Sequence, residues 1–239
     1  MIRLFIDQDL AAAGRIGIGG AQCHYLRNVM RRGPGDEIAL FNGRDGEWQG
    51  RIAGIDKKTC ELDVVAELRP QTSCVDLWLL FAPVKAARLD FIAQKATELG
   101  VSGLKPVLTE RTVVRRLKTD RIRANATEAA EQCGRLTVPE VFEPASLEVV
   151  LGAWPDGRRL LICDETGAPP ALAQLQTASA GPWALLIGPE GGFSPAERDC
   201  FAGLDYAARI GLGPRILRAD TAAVAALTLW QATLGDWPA

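Results

Sequence analysis

Histidine occurs once in this chain of 239 residues, and tyrosine and methionine only twice each. A lone imidazole, His24, leaves no histidine-dependent catalytic triad to build and argues against a zinc site. The six cysteines, at positions 23, 60, 74, 133, 163 and 200, are scattered and form no Cys-x-x-Cys pair. That spacing argues against a disulfide framework and suits a reducing compartment. No Gly-Lys-Ser or Gly-Lys-Thr is present, so there is no Walker A loop. No apolar run reaches the ~20 residues a membrane-spanning helix needs. The opening Met1-Ile2-Arg3-Leu4-Phe5-Ile6-Asp7 lacks the layout of a signal peptide and reads as a first strand, so a cytoplasmic location is expected. A strong excess of either charge is also missing. The formal net charge is −2, which does not announce a nucleic-acid-binding protein.

What is present describes a globular chain, 48% hydrophobic and 23% charged, long enough for a small domain and a medium one. Residues 1–70 read as mostly β, with strands expected at 2–6, 37–41, 47–55 and 60–67 and turn signals at Gly33-Pro34-Gly35, Asn42-Gly43 and Asp45-Gly46. Residues 20–30 read as a helical turn or two that presents Arg27 and Arg31. Gly17-Ile18-Gly19-Gly20 resembles a dinucleotide turn, but Gln22 stands where the last glycine belongs, and it is discounted. Arg69-Pro70-Gln71-Thr72-Ser73 reads as a linker. From 74 to 239 strands alternate with helices. Strands are expected at 76–82, 103–107, 159–163, 183–187 and 207–212, and helices near 85–99, stopping at Gly100, and 120–133, with Asp120 as a cap. Near-continuously apolar strands between helices imply a parallel sheet covered on both faces.

Two glycine-rich segments carry the most information. Ile187-Gly188-Pro189-Glu190-Gly191-Gly192-Phe193-Ser194-Pro195 follows one strand, and Gly211-Leu212-Gly213-Pro214-Arg215-Ile216-Leu217-Arg218-Ala219-Asp220-Thr221 follows another. Ser194-Pro195-Ala196-Glu197 has the spacing of a capping box with proline at the first helical position. Gly191 and Gly192 permit positive φ and close ligand approach. Asp220 or Thr221 is expected to cap the apolar helix that comes next. Two such loops at the carboxyl ends of strands form a small-molecule site in α/β proteins.

These segments, together with Tyr25-Leu26-Arg27-Asn28-Val29, Pro34-Gly35-Asp36-Glu37, Gln94-Lys95-Ala96-Thr97-Glu98-Leu99-Gly100 and Glu131-Gln132-Cys133-Gly134-Arg135, resemble the ribosomal RNA small subunit methyltransferase E family of the SPOUT class. The resemblance covers nearly the whole chain. It implies an α/β protein: a C-terminal trefoil-knotted SPOUT methyltransferase domain (74–239) with an N-terminal PUA-like RNA-binding β-barrel (1–70). It further implies a homodimer that uses S-adenosyl-L-methionine to methylate N3 of a uridine in 16S rRNA of the small ribosomal subunit. Neither membrane nor metal is implied. One departure is visible: the family's Glu-Thr-Ala is Asp220-Thr221-Ala222 here, a shorter carboxylate. Other readings stay open, namely a SPOUT enzyme acting on another base or a ribose 2′-OH, and a non-catalytic RNA-binding assembly factor.

On that resemblance, main-chain groups near Ile187, Gly188, Leu212 and Leu217 are expected to meet the adenine edge. Gly191, Gly213 and Ile216 would shape the pocket, with Pro189, Gly192 and Thr221 completing the cofactor set. Glu165 would supply a third loop edge against the ribose or the amino-acid portion. Uracil N3 must lose its proton to attack, and charge then spreads onto O2 and O4, where a cation would stabilise it. Arg218 is the leading candidate for that role, the alternative being a structural pair with Asp220 or Glu190. Glu190 is the candidate base if burial raises its pKa. Cys133 is not needed, because N3 attack requires no covalent adduct.

Phosphate contact is expected from Arg27, Arg31 and Arg32, and from Arg111 and Arg115 in a basic stretch that also holds Arg116, Lys118, Arg121 and Arg123 against Asp120 alone. Arg135 is a further candidate for RNA contact or a subunit interface.

Overall fold

The computed structural model describes residues 1–237. The chain divides into two compact units: Met1–Ser73 together with Ala130–Val138, and Cys74–Ala129 together with the segment that begins at Pro139. The division differs from a simple split at a linker, because a short strap far along the sequence belongs with the first unit.

The first unit opens with β1 (Ile2–Phe5), β2 (Arg15–Gly19) and the short helix α1 (Gly20–His24), which runs into a π turn over Tyr25–Val29. Next come β3 (Glu37–Phe41), β4 (Glu47–Ile55) and β5 (Thr59–Arg69). The sheet order is β1-β3-β4-β5-β2, with β1 parallel to β3 and the other pairs antiparallel. β2 contains the glycines that imitate a dinucleotide turn. Its inward positions are Ile16 and Ile18 and its outward ones Arg15, Gly17 and Gly19, the alternation of a half-buried strand. The core gathers Leu4, Ile6, Ile16, Ile18, Leu26, Ile38, Leu40, Ile52 and Leu62.

The strap is held by two arginines, Arg69, which donates from Nη2 to the Gly134 carbonyl at 2.9 Å, and Arg3. Arg3 donates from Nη1 to the carbonyls of Ala130 and Glu131, from Nη2 to that of Arg135, and from Nε to Glu47. These carbonyls include the last ones of a helix, where a cation is favoured. The Glu131 carboxylate accepts from the Phe5 N–H at 3.0 Å. Phe5, Phe41, Ala130, Leu136 and Val138 pack together where the strap meets the sheet.

The second unit contains β6 (Leu77–Phe81), α2 (Ala86–Glu98), β7 (Gly103–Leu108), the start of α3 (Thr119–Cys133), β8 (Glu140–Val141), β9 (Ala145–Ser146) and α4 (Leu147–Gly152). It continues with β10 (Arg159–Cys163), α5 (Ala171–Gln176), β11 (Trp183–Ile187), α6 (Pro195–Ala202), β12 (Ala207–Ile210) and α7 (Ala219–Thr233). The strands run parallel in the order β12-β10-β11-β6-β7-β8, with β9 also on β7. Every residue of β11 is buried, as expected of a strand covered on both faces. The order reverses at β6, which is flanked by β7 on one side and β11 on the other. Crevices at the carboxyl ends of strands near such a reversal are where α/β sheets bind ligands.

α2 ends at Gly100 with φ +84°, and a Cβ there would strike the Gln231 side chain, whose Nε2 donates to the Leu99 carbonyl at 2.7 Å. The α2 terminus and α7 are fastened together at that glycine.

Candidate functional site

Three loops meet at the carboxyl ends of β10, β11 and β12. Two adjoining clefts lie among them, of about 60 and 70 Å³. Cys163, Glu165, Ile216, Leu217 and Ala222 line both. The first adds Asp164, Leu212, Gly213 and Arg215, and the second Ile187, Gly188, Pro189, Glu190, Gly192, Phe193 and Ala219. The two glycine segments and the Glu165 loop are thus brought to one place. Gly191 and Thr221 are not on the cleft walls.

The loop after β11 is built by its own sequence. The Ser194 hydroxyl accepts from the Glu197 N–H at 3.2 Å, the Glu197 carboxylate accepts from the Ser194 N–H at 2.8 Å, and Pro195 opens α6. This is the reciprocal capping box expected from the spacing. Gly192 has φ +67°, and Gly188 faces the Phe193 ring so closely that a Cβ would lie 2.9 Å from it. Gly191 lends its carbonyl to Arg111 Nη1 at 2.8 Å.

The loop after β12 departs from expectation at its end. The N-cap of α7 is Arg218, in extended conformation and without a side-chain cap, so Asp220 and Thr221 lie inside the first turn. The Asp220 carboxylate accepts from the N–H of Thr221 beside it, 3.0 Å away. The helix begins earlier because Ala219 is already buried and the turn closes at once, with the Ala222 N–H donating to Arg218 O at 2.8 Å. Arg218 is exposed and makes no ion pair among the described residues, between two cleft-lining neighbours, Leu217 and Ala219. Ile216 is 84% exposed, an apolar side chain standing at the lip.

The third loop centres on Asp164, which is buried at the end of β10. Burial alone would raise its carboxyl, but hydrogen bonds from the Thr166 hydroxyl and N–H and the Arg198 guanidinium hold it below the usual range. Arg209 Nε lies 3.0 Å from the same carboxylate. Cys163, just before it, has its thiol pushed up to about 12 by burial, so it stands in the cleft wall as a neutral group. Nothing in the sequence announces the partnership of Asp164 with Arg198 and Arg209. No local signal joins residues 34 and 45 positions apart, and only the placement of β12 and α6 beside β10 does.

Glu190 is half-exposed and ion-paired to Arg88 at 3.0 Å, so it lacks the burial on which the role of base rests. Among the basic candidates, Arg27 and Arg31 are exposed, and Arg31 sits in the left-handed region at φ +53°, uncommon for a residue with a side chain. Arg32 is half-buried, 3.9 Å from Asp36. Arg115 is exposed, whereas Arg111 is committed to the Gly191 carbonyl. Arg121 is paired to Asp90 and Arg123 to Asp120, which thins the basic stretch. Arg135 donates to the Thr137 hydroxyl at 3.1 Å.

A parallel α/β unit with glycine loops converging on a cleft at its strand ends, in one chain with a small β unit, defines a class, and comparison with known proteins supplies the same one. A model of the RNA methyltransferase domain matches residues 71–231, and a model of the RNA methyltransferase PUA domain matches residues 18–65. The chain is 30% identical to the ribosomal RNA small subunit methyltransferase E of Bacillus subtilis, covering 95% of each chain. It is also 30% identical to that of Synechocystis, over 97% of this chain and 78% of the relative. The crystal structure of ribosomal RNA small subunit methyltransferase E from Neisseria gonorrhoeae bound to S-adenosyl methionine superposes with a TM-score of 0.89 and 29% identity, covering 99% of each chain. This chain belongs to the ribosomal RNA small subunit methyltransferase E family.

Proposed function

We propose that this protein transfers the methyl group of S-adenosylmethionine to N3 of a uridine in 16S rRNA. The observation that carries the reading is the convergence of three loops on two adjoining clefts, with exposed Arg218, which makes no ion pair among the described residues, lying in the chain between the lining residues Leu217 and Ala219. The lining fits the cofactor by its chemistry. Apolar Ile216, Leu217, Ala219 and Ala222 suit an adenine face, main-chain edges at Ile187, Gly188 and Leu212 suit its polar rim, and the Glu165 carboxylate suits hydroxyl or ammonium donors. When bound, the sulfonium supplies an already activated methyl group.

The residues then have little covalent chemistry to perform. The glycine loops orient the donor, and Arg218 meets the negative charge that grows on uracil O2 and O4 as N3 gives up its proton to solvent; the N3 lone pair then takes the methyl carbon as its bond to sulfur breaks and S-adenosylhomocysteine leaves. Arg218 is available because its expected structural partners are engaged elsewhere: Glu190 holds Arg88, and Asp220 faces the amide of Thr221. Glu190 acts in this reading as a tether of the glycine loop.

Exposed Arg27, Arg31 and Arg115 are the phosphate contacts the reading favours; Arg32 and Arg135 serve mainly to hold their own loops, and Arg111 holds the glycine loop after β11 through the Gly191 carbonyl. The first unit acts as the PUA-like RNA-binding domain, and the working assembly is a cytoplasmic homodimer. The return of the chain from edge strand β12 to α7, which packs on β11 and α2 at the middle of the sheet, supports the knotted SPOUT topology.

The test is incubation of the purified protein with labelled S-adenosylmethionine and small ribosomal subunits lacking the modification, followed by nucleoside mass spectrometry. 3-Methyluridine is expected. Another methylated nucleoside would overturn the acceptor atom, and absence of both methylation and cofactor binding would overturn the enzymatic reading.

A further inference from the structure

The Glu165 carboxylate lines both clefts, and beside it stand Arg198 and Asp164, neither of which lines the larger one. Arg198, from α6, has Nε 3.2 Å from Asp164 Oδ2 and Nη2 3.4 Å from Oδ1, while the same Nη2 lies 3.6 Å from Glu165 Oε1. Asp164 has no exposed side-chain surface, and the Thr166 N–H and hydroxyl fix it further at 3.1 and 2.7 Å. The Glu165 carboxylate also occupies the space a side chain at position 192 would fill: a Cβ on Gly192 would come within 2.6 Å of Glu165 Oε1. The left-handed Gly192 of one loop, the carboxylate of a second and an arginine of the helix after the first loop are therefore interlocked.

We propose that Asp164 and Arg198 are positioning residues for cofactor binding: Asp164 anchors the Arg198 guanidinium, and Arg198 holds the Glu165 carboxylate over Gly192, where it accepts hydrogen bonds from O–H or N–H donors of the cofactor. The proposal rests on the reading that S-adenosylmethionine occupies this cleft. A buried carboxylate satisfied on all sides is a rigid anchor, and the guanidinium fork transmits that rigidity to a second carboxylate which is 44% exposed and would otherwise be mobile. Gly192 serves by the absence of a Cβ.

The experiment is calorimetric titration of the protein with S-adenosylmethionine and with 5′-methylthioadenosine, which keeps the ribose and lacks the amino-acid portion. Glu165→Gln, Arg198→Met and Gly192→Ala should each weaken S-adenosylmethionine by about ten- to a hundredfold, the scale of a lost hydrogen bond to a charged group. Combining Glu165→Gln with either of the others should add little, because all three remove the same contact. Arg198→Lys should recover part of the loss. Arg198→Met is expected to fold, since Arg209 still faces Asp164 at 3.0 Å; if it does not, Gly192→Ala tests the same contact with every charge retained. Weakening of both ligands assigns the carboxylate to the ribose hydroxyls, and weakening of S-adenosylmethionine alone assigns it to the ammonium; either supports the proposal. Wild-type affinity in Glu165→Gln, or losses that simply add, would overturn it while wild-type binding stands. No binding of either ligand to the wild-type protein would overturn the cofactor reading and the proposal with it.

Discussion

Arg88 Nη1 lies 3.0 Å from Glu190 Oε1, joining the first turn of α2 to the glycine loop after β11 across 102 positions of sequence. The pair is partly exposed, so its worth to stability is small. Its worth to the loop is positional. Arg88→Ala should change unfolding free energy by less than about 1 kcal/mol and raise the KM for S-adenosylmethionine by roughly two- to fivefold at unchanged kcat. Steady-state kinetics on Arg88→Ala and Glu190→Gln decide the matter, and a roughly hundredfold fall in kcat for Glu190→Gln would restore it as the base.

Arg218 offers the opposite signature. It is exposed and without an ion pair among the described residues, at the N-cap of α7. Arg218→Ala should lower the single-turnover rate by about 10²- to 10³-fold, the range for one lost donor to a developing oxyanion. Cofactor affinity should stay within about threefold of wild type, because the charge it meets arises only in the transition state. Rapid-quench measurement with saturating cofactor gives the answer; a wild-type rate would remove Arg218 from the chemistry.

Glu47 bears on the stability of the first unit. Its carboxylate is buried and receives Arg3 at one oxygen and Arg69 at the other. Burial alone would raise its carboxyl, but the two guanidinium bonds outweigh that and lower it. A folded-state pKa below the unfolded value of about 4.3 adds stability that is complete above that pH and is lost as pH falls through the folded value. Glu47→Gln should therefore cost about 2–4 kcal/mol at pH 7, with Arg69 half-exposed holding the figure down. The deficit against wild type should shrink as pH is lowered below about 4. Urea unfolding at about pH 7 and about pH 3.5 measures both effects.

Much of the fold and the site is legible in the sequence where the signal is local. The capping box at Ser194 and Glu197, the stop at Gly100 and the apolar strands around the cleft come from neighbours a few positions apart. β2 escapes such a reading because its glycines at 17 and 19 fall on the outward face and imitate a phosphate turn, although Ile16 and Ile18 alternate correctly. The two-residue strands β8 and β9 are too short to leave a pattern. The start of α7 is misleading in sequence because Asp220 has the chemistry of a cap while the backbone turns at Arg218. Partnerships such as Asp164 with Arg198 and Arg3 with the Arg135 carbonyl depend on which strands and helices become neighbours, and that is a property of topology.

The strap Ala130–Val138 gives the chain an unusual genetic grammar. The small β unit is encoded in two pieces, with most of the larger unit's first half written between them. A fragment ending at Ser73 would leave Phe41 without Leu136, the Phe5 amide without Glu131, and the Arg3 guanidinium without three of its carbonyls. The β unit is thus poorly suited to being shuffled between genes as a cassette. Duplication, loss or replacement of the β unit would have to act on residues 1–138 as a block, which carries Cys74–Ala129 of the larger unit with it.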